Sequence, residues 1–151
     1  MNKTIIKIKK LFSTAIIPTR ATIGSVGFDL YANFGDNDNG PNFVNYDIIY
    51  PGGILLVKTG IVIELPKYHE AQIRPRSGLA IKYGITVINS PGTIDIDYRG
   101  DISIPLINHG AEIFIVNQGM KIAQMVISKT IEFENYEFEE NMAEKWANVK
   151  R

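Results

Sequence analysis

The segment Gly92–Asp101, GTIDIDYRGD, sets two carboxylates, Asp95 and Asp97, ahead of a tyrosine and the turn pair Arg99-Gly100, and the chain then runs on as ISIPLI. Strand signals on both sides of a central glycine predict a β-hairpin. Its backbone can hold a small planar ligand, Tyr98 can present a flat wall, and Asp95 can take a proton from water, the step that hydrolysis requires. As a lone segment it reads equally well as a solvated surface hairpin.

Three other segments carry chemistry. In Ala21–Ala32 (ATIGSVGFDLYA), Gly24 and Gly27 make a tight passage, and Asp29 sits between Phe28 and Leu30 in an otherwise apolar strand. A carboxylate there needs a basic side chain, backbone N–H groups or a metal-bound water as partner, or else it ties down a turn. In Arg74–Ala80 (RPRSGLA), Pro75 fixes the backbone before Arg76, and Ser77, Gly78 and the opening N–H groups of a short helix face the same space. A helix start of that kind collects an anion, and Arg76 adds a fork for phosphate oxygens; an ordinary serine N-cap beside a surface salt bridge is the simpler alternative. Asn89 precedes the hairpin, with Pro91-Gly92 bending the chain between them, and its amide suits the edge of a pyrimidine. In Gly119–Val126 (GMKIAQMV), Lys121 lies at a turn and Gln124 is a lone polar group in an apolar strand, so an inward amide must be hydrogen-bonded.

The elements that must position these residues are mostly strands. Apolar β-branched runs recur at Ile5–Phe12, Tyr46–Tyr50, Ile54–Leu65, Ala71–Ile73, Ile85–Ile88, Ile102–Ile107, Glu112–Val116, Ile122–Ile127 and Ile131–Phe138. Gly, Pro and Asn punctuate them, which favours an antiparallel sandwich, barrel or jelly roll. One interior helix is predicted over Ser77–Tyr83, ended by Gly84, with a weak second candidate at Asn141–Arg151. The stretch Asn33–Asn45 (NFGDNDNGPNFVN) must be a loop. Asp36 and Asp38 imitate a calcium loop, but Gly40 stands where an oxygen ligand belongs and Asp47 where the twelfth-position glutamate does, so a solvated loop is the reading.

At 151 residues, without repeat or linker, the chain reads as one domain spanning 1–151. Sixteen basic and sixteen acidic residues cancel, which argues against a nucleic-acid or membrane-surface partner. With no cysteine, disulfides and thiolate metal sites are excluded, and an intracellular, cytoplasmic home fits. The N-terminal lysines and apolar residues only weakly imitate a signal peptide, and no run approaches the roughly 20 apolar residues that span a bilayer.

Taken in order, ATIGSVGFDLYA, RPRSGLA, NSPGTIDIDYRGD and GMKIAQMV resemble the first four of five motifs of the trimeric deoxyuridine triphosphate nucleotidohydrolases (dUTPases). The resemblance runs over about residues 3–135, with the loop 33–45 as a variable insertion. It implies a mostly β fold, a β-clip or jelly-roll barrel with one short helix, assembled as a homotrimer with active sites at subunit junctions. It implies hydrolysis of dUTP to dUMP and pyrophosphate, by attack of water on the α-phosphorus. Asn89 and the backbone around Thr93, Ile94 and Asp95, with Ser103, would bind uracil in a slot too narrow for a C5 methyl. Tyr98 would lie against the deoxyribose and exclude a 2′-hydroxyl. Arg76, Ser77 and Gly78 would hold phosphates from a neighbouring subunit, with Gln124 beside them. Asp95 would meet the 3′-hydroxyl and orient the attacking water. Mg²⁺ would be held mainly by the triphosphate and water, with Asp29 supporting it through Arg76 or water rather than as a direct ligand.

Two departures from the family pattern stand out. Lys121 occupies a position where arginine is more usual, which keeps the charge and loses the bidentate fork. The fifth motif, a glycine-rich arm that closes over uracil, has no counterpart: 139–151 would lead into it, and the sequence stops at ENMAEKWANVKR. Truncation is the expectation, with binding retained and kcat reduced. Three competing readings are a deoxycytidine triphosphate deaminase, a catalytically weak nucleotide-binding or regulatory module, and a plain structural β-sandwich. ISIPLI lacks the deaminase's glutamate, and joint retention of Asp29, Arg76, Asn89, Asp95 and Tyr98 speaks against the other two.

Overall fold

Short β-branched runs become strands because their side chains pack well on a pleated surface, and Gly, Pro and Asn end them. The computed structural model describes residues 5–36 and 45–131. Its strands are β1 (Lys7–Lys10), β2 (Phe28–Tyr31), β3 (Tyr46–Ile49), β4 (Ile54–Lys58), β5 (Ile61–Glu64) and β6 (His69–Arg74). After the helix α1 (Ser77–Tyr83) come β7 (Ile85–Val87), β8 (Gly92–Ile94), β9 (Ser103–Asn108), β10 (Phe114–Asn117) and β11 (Lys121–Lys129). The helix falls where the sequence places it. Gly84 ends it at φ 69°, the left-handed backbone that glycine adopts without steric cost.

All pairings are antiparallel. The four-stranded sheet has the order β2-β11-β6-β8 and the three-stranded sheet the order β4-β9-β7; β1 pairs with β5, and β10 with β3. The core is aliphatic, with Leu30, Ile61, Ile85, Ile102, Ile104, Leu106 and Ile122 among its fully buried members. In β9 the alternation is strict: Ile104, Leu106 and Asn108 point inward while Ser103, Pro105 and Ile107 do not. Buried Asn108 is fully satisfied, donating to the carbonyls of Ile49 (2.9 Å) and Glu112 (2.8 Å) and accepting from the Gly110 N–H.

The structure departs from the sequence expectations in four places. The run Ile54–Leu65 is two strands, because Gly60 turns the chain at φ 68°. Gly92–Asp101 is not a two-stranded hairpin, since β8 pairs with β6 whereas β9 pairs with β4 and β7. The chain there turns a corner between two sheets, and the turn is at Asp95–Tyr98 (Tyr98 N–H to Asp95 carbonyl, 3.2 Å) rather than at Arg99-Gly100. The start of the loop 33–45 is fastened rather than merely solvated. Asn33 is buried and donates to Thr14 Oγ1 (3.0 Å), and Asp36 accepts from Ser13 Oγ (2.8 Å) and the Thr14 N–H (3.0 Å). Finally, the strand expected at Ile5–Phe12 is confined to Lys7–Lys10.

The expectations for Asp38, for a strand over most of Ile131–Phe138 and for the 139–151 segment lie outside the described residues. Among the described residues no helix is long and apolar enough to cross a membrane.

Candidate functional site

Asp29 lies in β2, opposite Gln124 of β11 in the antiparallel ladder, and Gln124 in turn lies opposite Arg74 of β6. Residues directly opposite share a face of the sheet, so Asp29, Gln124 and Arg74 line one cleft of about 430 Å³, together with Ser25 and Gly27. Lys121, three positions before Gln124, would face the other way in a regular strand. A bulge between Lys121 and Ala123 inserts one residue and restores the parity, so Lys121 sits opposite Tyr31, on the face of Asp29.

The Asp29 side chain, nearly buried, has basic side chains as partners, one of the possibilities that the sequence leaves open. Its Oδ2 is 2.8 Å from Lys121 Nζ, and its Oδ1 is 3.3 Å from Arg76 Nε. The hydrogen bond from Lys121 to Asp29 raises the lysine pKa above its ordinary value, so the ammonium is fixed. Arg76 also donates from Nη1 to the Lys121 carbonyl (3.2 Å), and Gln124 Nε2 donates to the Pro75 carbonyl (2.9 Å). Two side chains, Asp29 and Gln124, and the Lys121 backbone carbonyl, from two strands, thus clamp the crossover that leads into α1. Arg76 is the helix N-cap, in extended backbone and without a side-chain cap; Ser77, expected as a possible cap, is the first helical residue instead. Ser77 and Gly78 are exposed beside it.

A second, smaller cavity of about 190 Å³ opens where the chain passes from one sheet to the other. Asn89, Thr93, Ile94, Tyr98 and Ser103 line it, so the structure gathers the residues expected to hold a base and sugar. β8 is the edge strand of its sheet, and its outer backbone groups have no strand partner among the described residues. Asn89 packs its amide against Gly92, where a side chain would crowd it (3.3 Å to a Cβ). Asp95 is exposed at the turn beside this cavity, and Tyr98 Oη donates to the Asp101 carbonyl at 2.9 Å. The cationic cleft and the slot share no lining residue.

A family model described as dUTPase matches residues 13–151. The chain belongs to the dUTPase family. A deoxyuridine 5′-triphosphate nucleotidohydrolase of Alkaliphilus metalliredigens is 48% identical over 135 residues, which is 89% of this chain and 86% of that protein. One from Rickettsia massiliae is 53% identical over 130 residues, 85% of this chain and 82% of that protein. Among solved structures, a dUTPase from phage phi11 of S. aureus, described with a structural Mg(II) ion, superposes with a TM-score of 0.75 at 20% identity, covering 91% of this chain and 98% of that one. A Staphylococcus bacteriophage 80alpha dUTPase solved with dUpNHpp gives 0.75 at 18% identity, covering 91% and 90%. The dUTPase fold, mostly β with a single helix among the described residues, is thereby the fold of this chain.

Set beside that family, the chain brings the expected residues together in two groups: Asp29 and Gln124 at the cleft, with Arg76 held against Asp29, and Asn89, Thr93, Ile94, Tyr98 and Ser103 at the slot. Sequence reasoning gave no role to Arg74 or Asp101. Arg74 carries a signal in hindsight, since it ends a strand two residues before Arg76. Asp101 has none: its carboxylate accepts the Gly60 N–H at 2.9 Å, from a turn distant in sequence.

Proposed function

We propose that this member of the dUTPase family hydrolyses dUTP to dUMP and pyrophosphate, which keeps uracil out of DNA and supplies dUMP for thymidylate synthesis. The observation that carries this reading is the coexistence of a cationic cleft braced by Asp29 and a flat slot walled by Tyr98 and a strand edge unpaired among the described residues. A triphosphate needs the first, and a pyrimidine nucleoside the second.

In this reading Asn89, the backbone of Thr93, Ile94 and Asp95, and Ser103 read the uracil edge, and Tyr98 stacks on the deoxyribose. Asp95 accepts the proton of the water that attacks the α-phosphorus, and pyrophosphate leaves with the electrons of the broken P–O bond. Arg76 spends Nε on Asp29 and Nη1 on the Lys121 carbonyl, so Nη2 is the edge offered to phosphate oxygens, next to Ser77 and Gly78. Gln124 holds the Pro75 carbonyl and so keeps that loop in place. The family resemblance implies a homotrimer with each site at a subunit junction, and the separation of slot and cleft within one chain is compatible with that assembly.

The described residues contain no group of three or more His, Cys, Asp or Glu able to hold a metal ion, and both Asp29 oxygens already face cations. Mg²⁺ would be held mainly by the triphosphate and water, where it would supply neutralisation of phosphate charge, with Asp29 supporting it through Arg76 rather than as a direct ligand. An intracellular nucleotide pool is the setting that supplies this substrate.

The test is product analysis with dUTP, dCTP, dTTP and UTP in the presence of Mg²⁺. Pyrophosphate release from dUTP alone is the expected result, and ammonia from dCTP would replace this reading with a deaminase. Sedimentation equilibrium at three times the chain mass checks the trimer.

A further inference from the structure

Gly100 sits under the ring of Tyr98. Its backbone does not call for glycine, since the positive-φ glycines are Gly35, Gly52, Gly60, Gly84 and Gly119. The requirement is for space. A Cβ at Gly100 would stand 2.5 Å from Tyr98 Oη, 2.7 Å from Cζ and 3.2 Å from Cε2, against about 3.5–4.0 Å for an unstrained carbon contact. All three atoms belong to the far end of a side chain, so a substituent there evicts the ring before it disturbs the backbone.

The ring is held in that seat from the other side. Tyr98 Oη donates to the Asp101 carbonyl (2.9 Å), and Ser103 Oγ donates to the same oxygen (3.2 Å). Asp101 is itself pinned, its carboxylate accepting the Gly60 N–H at 2.9 Å. The anchor of the tyrosine is therefore fixed to the core, and the one degree of freedom left is the direction of the ring.

We propose that Gly100 is a specificity-determining position that seats Tyr98 and so sets discrimination against the 2′-hydroxyl. This rests on the reading of Tyr98 as the sugar wall. Gly100 acts through Tyr98 and is a positioning residue that touches no substrate. Without a side chain at Gly100 the ring lies down toward Asp101 and bounds the slot; with one, the ring swings away and the sugar loses its wall.

The experiment compares kcat/KM for dUTP and UTP in the full chain and in Gly100→Ala, Tyr98→Ala and the double variant. Gly100→Ala is expected to lower the dUTP preference about tenfold or more. On the Tyr98→Ala background the same change is expected to alter the preference by no more than about twofold, because the ring it displaces is gone. If Tyr98→Ala relaxes discrimination and Gly100→Ala does not, the seat is wrong while the wall stands. If Tyr98→Ala leaves discrimination intact, the wall itself fails and Gly100 with it. Should Gly100→Ala fail to fold, the double variant must restore folding; its failure to do so would show a backbone role at Gly100 and overturn the proposal.

Discussion

Lys121 Nζ lies 2.8 Å from Asp29 Oδ2 on the same sheet face as Gln124, although Lys121 stands three positions before Gln124 in one strand, an odd offset. The bulge between Lys121 and Ala123 makes this possible. Ile122 and Ala123, adjacent in sequence, are both buried as a result. One inserted residue thus puts an ammonium and an amide on the sheet face that carries Asp29.

Asp29→Asn should loosen that cleft. Arg76 and Lys121 would then sit side by side without their shared counter-charge, and Arg76 would lose the contact that aims it. The variant is expected to be about 1–3 kcal/mol less stable in urea titration and to raise KM for dUTP more than it lowers kcat. Lys121→Arg keeps the charge and should stay close to the parent in both measurements. An unchanged KM in Asp29→Asn would remove Asp29 from phosphate binding.

Gly27→Ala should act on the same site by crowding. A Cβ at Gly27 collides with Gln124 Oε1, and Gln124 must then release the Pro75 carbonyl. Losing a hydrogen bond of this kind costs about 1 kcal/mol, so dUTP binding is expected to weaken about fivefold. Gln124→Ala should reproduce the effect, and combining the two should add little. Fully additive losses in binding calorimetry would separate Gly27 from Gln124.

Asp95→Asn should fold, because Asp95 is exposed at the corner turn and only its backbone carbonyl is used there. It should bind dUTP about as tightly as the parent while turnover falls by at least about 10²-fold. Pyrophosphate release and isothermal titration on the same preparation read the two quantities. Appreciable residual turnover would move the base elsewhere.

Acid stability should depend on Asp36. The Thr14 N–H and the Ser13 hydroxyl lower its pKa from 3.8 to about 2, so the folded state holds the ionised form. A depressed carboxylate stabilises the fold above its unfolded pKa and loses that contribution as pH falls through the folded one. Unfolding midpoints are therefore expected to drop between about pH 4 and pH 2, and Asp36→Asn should flatten that segment of the curve. An identical pH profile for the two proteins would show that this anchor contributes nothing.

Much of the molecule was legible in the residue order. Ser77–Tyr83 followed by Gly84 reads directly as a helix with a left-handed stop, because capping is a local rule. Most strand cores were equally local, as were the motifs that place the chain in its family. The split at Gly60 was hidden, since one glycine in an apolar run reads as strand or turn until a partner strand decides. The supposed hairpin misled for a related reason: two strand signals around a turn say nothing about whether the two strands pair with each other.

Residue types and spacing alone determined which groups can do chemistry here: the carboxylates Asp29 and Asp95, the guanidinium of Arg76, the amides of Asn89 and Gln124, and the ring of Tyr98. Only tertiary structure decided how they are aimed. The bulge parity of β11, the switch of sheets between β8 and β9, and the empty seat at Gly100 all arise from contacts between segments far apart in sequence or from side-chain volume. Local propensity is written residue by residue, whereas orientation depends on which strand lies opposite, and that is settled only when the core closes.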